Sequence, residues 1–326
     1  MSNTWDYRFA FPVQEPGDVP SEFRSMYDRR LGECGSPVFG LFSPAMEDPG
    51  FIVSHWLPPK LILLFPESLS LLSLDTRSDQ VLTFELSRND FLGYGLAEFL
   101  LNCWFTLYPG PAADGGVQIR FPSRASQHYV ELAHFLLDWS NGEDAAIQSR
   151  RQSPQGIPGL PPKFANFLEA HPEYGPALEF LFQPNTELRK RPEEEWAALL
   201  LLVTPSSIVA LTDRYRGRCS PYGIEMTYLP IKRVTSVDWT ESRDGPHAAI
   251  EVCLKGAKTQ LRVSWPILSG LKPYTVRWIQ AVESQTRALG GEGNWPGGLA
   301  GQSGEFANKP DSLHVGNGKY AKSRSD

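Results

Sequence analysis

Signatures of covalent, metal or nucleotide chemistry are what this chain has least of. Its four cysteines, Cys34, Cys103, Cys219 and Cys253, are scattered, with no Cys-x-x-Cys pair and no histidine at ligand spacing. That argues against a zinc site and against a disulfide framework. There is no Gly-x-Ser-x-Gly elbow for a serine nucleophile, no Gly-Lys-Ser or Gly-Lys-Thr phosphate loop, and no His-Glu-x-x-His pair. The run GYGLAEF at 93–99 begins like a dinucleotide-binding turn but carries Glu98 where the third glycine belongs. Positive charge is short as well: 31 lysines and arginines against 37 aspartates and glutamates leave a formal net charge of −6. A phosphate backbone is held by a surplus of cations, so nucleic acid is not an expected partner. The longest apolar runs, LILLF at 61–65 and AALLLLV at 197–203, are too short to span a bilayer. The first residues lack a basic start followed by an apolar core, so the expectation is a cytoplasmic protein with reduced thiols.

What the chain does have is turn residues and an internal repeat. Gly and Pro number 28 each, which favours many short strands over long helices, and 326 residues suffice for about two cores of ordinary size. LFSPAMEDPGFIVSHW at 41–56 returns as LFQPNTELRKRPEEEW at 181–196, so that Pro44 matches Pro184 and Trp56 matches Trp196. Upstream, Pro20-x-x-Phe23 matches Pro161-x-x-Phe164, each reading as a short helix opened by proline. Downstream, Pro66, Ser68 and Leu69 match Pro205, Ser207 and Ile208. The offset stays between 139 and 141 across these landmarks, which points to a duplicated unit. The expected organisation is an N-terminal extension at 1–19, one domain at 20–145, a Gly/Pro-rich linker at 146–160, a second domain at 161–289, and a disordered tail at 290–326. Trp56 and Trp196, retained at equal spacing with little else between, are expected to anchor packing in both units.

Each unit reads as strands followed by one helix. In HAAIEVCLKGAKTQLRVSW, at 247–265, two alternating segments flank Gly256-Ala257. A two-residue turn there sets Ile250 opposite Val263, Val252 opposite Leu261 and Glu251 opposite Arg262. Beyond it, Tyr274, Trp278, Ile279, Val282 and Leu289 fall on one helical stripe. The first unit ends alike, with VQIRF as a strand and a helix carrying Tyr129, Leu132, Phe135 and Leu136 on one face.

Several short strands closed by a helix, together with LLLLVTPSSIVALTDR at 199–214 and Leu229-Pro230-Ile231-x-x-Val234-x-x-Val237, resemble the bacterial pleckstrin-homology-like and GRAM-type domains. The likeness covers most of 177–289. The first unit departs from it at FELSRNDFLGYG, and its membership rests on the repeat. The resemblance implies an α+β, mostly β protein of two tandem pleckstrin-homology-like domains. Each would be a strongly bent antiparallel sheet, or partly open barrel, of six to seven strands with a short helix before it and a C-terminal helix capping it. It also implies a platform for binding rather than a catalyst.

Candidate chemistry is thin. The histidines at 55, 128, 134, 171, 247 and 314 form no cluster in sequence, and each reads as an ordinary surface or packing residue. Asp244, His247 and Cys253 cannot form a base and nucleophile, because His247 and Cys253 lie about 20 Å apart along an extended strand. The densest cationic segment is DRYRGR at 213–218, where Arg214, Arg216 and Arg218 surround Tyr215. Arginine presents paired donors to phosphate or carboxylate, so this loop is the candidate site for an anionic headgroup or acidic peptide, and otherwise a solvated turn. The expectation is a non-enzymatic binding or scaffold protein with a protein partner, no cofactor, no metal and at most peripheral membrane contact. The alternatives are a hydrolase-type enzyme with a site in the groove between the units, or a weak binder of anionic membranes through Arg214–Arg218.

Overall fold

The computed structural model describes residues 9–48, 55–75, 78, 80–99, 103–109, 116–141, 157, 159–174, 176–187, 195–213, 223–241 and 247–291. The fold is α+β and mostly antiparallel sheet, with no closed barrel among the described residues. After a short β1 (Phe11–Pro12) the first half runs α1 (Ser21–Cys34), β2 (Phe39–Ser43), β3 (Met46–Asp48), β4 (His55–Leu57), β5 (Lys60–Leu64), β6 (Ser68–Asp75) and β7 (Gln80–Ser87). It continues with β8 (Gly93–Phe99), β9 (Cys103–Tyr108), β10 (Val117–Phe121) and α2 (Ser126–Asn141). The second half runs α3 (Pro162–Ala170), β11 (Glu179–Gln183), β12 (Thr186–Glu187), β13 (Glu195–Trp196), β14 (Leu199–Val203), β15 (Ser207–Thr212) and β16 (Gly223–Pro230). It closes with β17 (Val234–Glu241), β18 (His247–Lys255), β19 (Gln260–Leu268) and α4 (Lys272–Ala288).

The strand order recurs. β2-β5-β6-β7 in the first half matches β11-β14-β15-β16 in the second, and β8-β9-β10 matches β17-β18-β19. Hairpins β3-β4 and β12-β13 sit at the same place in each half. The prolines of the repeat have a local cause. Phe23 N donates to Pro20 O and Phe164 N to Pro161 O, both at 3.0 Å, closing the first turn of α1 and of α3. Pro66 O accepts Trp139 Nε1 of α2 at 2.7 Å, and Pro205 O accepts Gln285 Nε2 of α4 at 2.7 Å. Each half thus ties its terminal helix to the turn after its central strand by the same bond with a different donor.

The halves do not, however, close separate sheets. β8 pairs with β16, so β10-β9-β8-β16-β15-β14-β11 is one seven-stranded sheet that crosses from one half to the other. Beside a core within the first half and one almost wholly within the second, the halves share a third. The largest core joins Leu41, Ile62 and Leu86 of the first half, α2 through Tyr129, Leu132 and Leu136, and Phe164, Leu200, Leu202 and Tyr228 of the second. The continuous apolar runs make this geometry workable. In β5, Ile62 and Leu64 enter that shared core, while Leu61 and Leu63 face Phe23 and Tyr27 of α1. In β14, Leu200 and Leu202 enter the shared core, while Leu199, Leu201 and Val203 pack on Trp278 and Val282 of α4. Each such side chain contributes about 1.5–3 kcal/mol by leaving water, and a strand buried on both faces needs an unbroken apolar run.

The β18-β19 hairpin forms, but its register differs from the predicted one. Ile250 lies opposite Trp265 and Leu254 opposite Leu261, around a four-residue turn at 256–259. The faces are unchanged, because the slip is two residues. The longer turn exists because it grips the other half. Ala257 N donates to Asn89 O at 3.2 Å and Lys258 N to Asp90 Oδ1 at 2.5 Å. Gly256 is required by closeness: a Cβ there would lie 2.8 Å from Asp90 Cα and 3.0 Å from Asn89 O. On α4, Trp278, Ile279 and Val282 are buried as the stripe predicts, while Tyr274 and Leu289 at its ends are exposed.

Candidate functional site

The residues singled out from the sequence are not brought together. Arg214, Tyr215, Arg216 and Arg218 lie outside the described residues, as does Cys219. Trp56 stands in β4 opposite Glu47, and Trp196 in β13 opposite Thr186, so both lie in the second strand of their hairpin but one residue apart in register. Their expected role as packing anchors is corrected for Trp56, which is 67% exposed. The reason is topological: β3-β4 is a two-stranded ribbon apart from the main sheets, and Trp56 and its partner Glu47 are both exposed. Pro44, directly after β2, is buried, whereas Pro184 after β11 is exposed. Cys34 and Cys253 are free thiols.

Two features that the sequence reading did not isolate lie where the halves meet. The first is a polar cluster. His134 projects from α2, while His171 caps the C-terminus of α3 and Glu173 follows in a short 3₁₀ turn at Pro172–Tyr174. Pro172 disfavours helical backbone at His171, which ends α3 there and swings the chain toward α2. Glu173 Oε1 accepts His134 Nε2 and His171 Nδ1, both at 2.8 Å. The His171 ring is held against Phe167 at 4.3 Å between centroids and near Tyr174 at 5.9 Å. Burial pushes the Glu173 carboxyl up, but the two imidazole bonds, its own backbone bond and the charge of His171 outweigh burial and hold it at about 2. It is an anion at any ordinary pH. His134 lies on the face of α2 opposite His171, a neighbourhood created only when the two halves pack, which is why spacing alone could not reveal the cluster.

Beneath it lies a tyrosine layer. Tyr94 of β8 and Tyr228 of β16 stack at 5.0 Å, and Tyr174 lies 6.4 Å from Tyr228. The Tyr94 and Tyr174 hydroxyls meet at 3.3 Å, while the Tyr228 hydroxyl meets Ser140 Oγ at 3.2 Å and donates to Asn141 Oδ1 at 3.2 Å. Burial pushes Tyr228 up to about 12 and Tyr94 and Tyr174 up as well, so these phenols stay neutral. Tyr94, Tyr174 and Tyr228 are all buried where the two halves meet.

The second feature is an open sheet edge. Among the described residues no strand pairs with the outer edge of β7 or of β17. Arg88 N donates to Glu67 O at 2.9 Å, one pair beyond Ser68 opposite Ser87. Antiparallel alternation then turns Leu86, Phe84 and Leu82 toward β6 and leaves the N–H and C=O of Glu85, Thr83 and Val81 pointing outward. In the second half Ser207 lies opposite Pro230, so positions in β16 and β7 differ by 143 residues (230 minus 87). The counterparts of Glu85, Thr83 and Val81 are Tyr228, Met226 and Ile224, which face Tyr94, Leu96 and Glu98 of β8. The edge of β16 is filled by a strand where the matching edge of β7 is open. Arg233, just before β17, donates from Nη2 to Arg88 O and Asn89 Oδ1, just after β7, both at 3.3 Å. Beyond that point the two strands are not paired.

Scans against protein-family models and against curated protein sequences find no match to this chain. No helix among the described residues is long and apolar enough to cross a membrane.

Proposed function

We propose that the chain is a non-enzymatic binding or scaffold protein, built from two pleckstrin-homology-like halves, that takes an extended segment of a partner protein along the outer edge of β7. The carrying observation is that open edge, whose counterpart on β16 is occupied by β8 in antiparallel register. Seven principal strands and a terminal helix in each half, in one order, support the pleckstrin-homology-like reading. The edge itself supports strand addition: backbone groups of Val81, Thr83 and Glu85 supply affinity, and side chains beside the strand supply selectivity. Leu82 is 58% exposed and Phe84 half-buried against the shared core. The occupant therefore alternates large apolar and small residues, as Tyr94 and Leu96 alternate with Gly95 and Ala97 in β8.

The test selects peptides from a random display library against the full chain, then measures their affinity for wild type and for Thr83→Pro. Proline at Thr83 removes an outward N–H and leaves the ladder to β6 intact, because proline is tolerated on edge strands whose N–H faces solvent. Extended peptides that lose at least tenfold in affinity for Thr83→Pro, and that protect the amides of Val81, Thr83 and Glu85 from hydrogen exchange, are expected. Failure to select any peptide, or equal binding to a folded Thr83→Pro variant, overturns the reading.

A further inference from the structure

We propose that His134, His171 and Glu173 form a binding site for a divalent transition-metal ion of the zinc type, joining the two halves of the chain. Each residue offers one ligand atom, and the three atoms lie within 4.8 Å of one another. Two imidazole nitrogens and one carboxylate oxygen are the donor set that suits Zn²⁺ and its neighbours rather than Mg²⁺ or Ca²⁺. With bonds of about 2.0–2.1 Å at tetrahedral angles, ligand atoms stand about 3.4 Å apart. The 2.8 Å separations of Nε2 and Nδ1 from Oε1 open by about half an ångström to admit the ion, and each neutral ring then carries its proton on the nitrogen facing away from it.

The surroundings fit such a site. The side chains of Glu173 and His171 are 13% and 10% exposed, and the ring contacts with Phe167 and Tyr174 fix the His171 orientation. That is the preorganisation a metal ligand needs. The His134 side chain is 42% exposed, which gives the ion an entry path and leaves room for water at a fourth position. His134 comes from the first half and the other two ligands from the second, so the ion would bridge α2 to the end of α3. This inference does not depend on strand binding at β7.

The test titrates the metal-free full chain with ZnCl₂ by isothermal calorimetry and with CoCl₂ by visible absorption. Wild type is compared with His134→Ala, Glu173→Gln and the pair combined. One ion per chain is expected, with a tetrahedral Co²⁺ spectrum and affinity at least tenfold weaker in each single variant. His134→Ala changes a half-exposed residue and keeps the comparison meaningful if Glu173→Gln unfolds. No uptake near one equivalent at millimolar metal, or uptake of equal affinity in a folded His134→Ala variant, overturns the proposal.

Discussion

If the β18-β19 turn is what holds the halves in their relative position, then one methyl group at Gly256 should loosen them. The Gly256→Ala Cβ would lie 2.4 Å from Thr259 Oγ1, 2.8 Å from Asp90 Cα and 3.0 Å from Asn89 O. The threonine can rotate; the backbone at 89–90 cannot move without releasing the turn. Overpacking of this kind costs about 1–3 kcal/mol when the structure absorbs it. If the turn instead lifts away, it loses the bonds Ala257 N to Asn89 O, Lys258 N to Asp90 Oδ1 and Thr259 Oγ1 to Asp90 O. At about 1 kcal/mol for each neutral acceptor and about 1.5–3 kcal/mol for the Asp90 carboxylate, that route costs about 3.5–5 kcal/mol. The less costly route, overpacking, sets the expected loss at about 1–3 kcal/mol. Asp90→Ala removes the acceptor of Lys258 N and of Ser87 Oγ, and bonds to a charged group are worth about 1.5–3 kcal/mol. The two substitutions attack one contact, so the double variant should fall short of their sum by about 1 kcal/mol. Urea unfolding of the four proteins measures this. A Gly256→Ala variant within about 0.5 kcal/mol of wild type, or strictly additive effects, would refute the idea that the turn clasps the halves.

The same carboxylate gives an acid-sensitive contribution. Burial pushes the Asp90 carboxyl up, but bonds from Ser87, Lys258 and Thr259 prevail and lower it below 3.8. A group lowered on folding stabilises fully above its unfolded value, and that contribution disappears as pH falls through the folded one. Urea midpoints should therefore fall more steeply below pH 4 in wild type than in Asp90→Asn, and parallel curves would count against the network. Trp56→Ala, in contrast, should shift stability by no more than about 0.5 kcal/mol, because its side chain is largely in water. A loss of several kcal/mol in thermal or urea unfolding would show that the β3-β4 ribbon packs after all.

Local features were legible in the sequence because they depend on neighbours close in the chain. The proline-opened helices, the doubly apolar β5 and β14, and the faces of β18 and β19 follow from period and turn chemistry. The β18-β19 register was misread for a physical reason. Gly256 serves a contact with Asp90, 166 residues away (256 minus 90), rather than a tight two-residue turn. The Trp56 burial failed similarly, since equal spacing records a position in a hairpin and says nothing about what covers it. His134 and His171 could not be paired in advance, because α2 and α3 become neighbours only through the shared core.

Which edge closes and which stays open is nonetheless written in side chains. β16 brings Tyr228 to the seam, where it stacks on Tyr94 and is fully buried. The matching residue of β7, 143 positions earlier, is Glu85. Glu85 is exposed and lies 3.0 Å from Arg30 Nη1, so a strand arriving at that edge finds an ion pair where β8 finds a ring. A carboxylate in water resists burial against an apolar strand, whereas a tyrosine gains from it. On this side the chain's own contact stops at Arg233 and Arg88, whose bonds are polar and lie at the end of the strands. The duplicated order of strands thus supplies two equivalent edges, and the substitution of Glu for Tyr at one position favours internal closure of one and external availability of the other. An external segment can still use the outward backbone groups at Val81 and Thr83, and a basic residue beside Glu85 would share its charge with Arg30 rather than bury it unpaired.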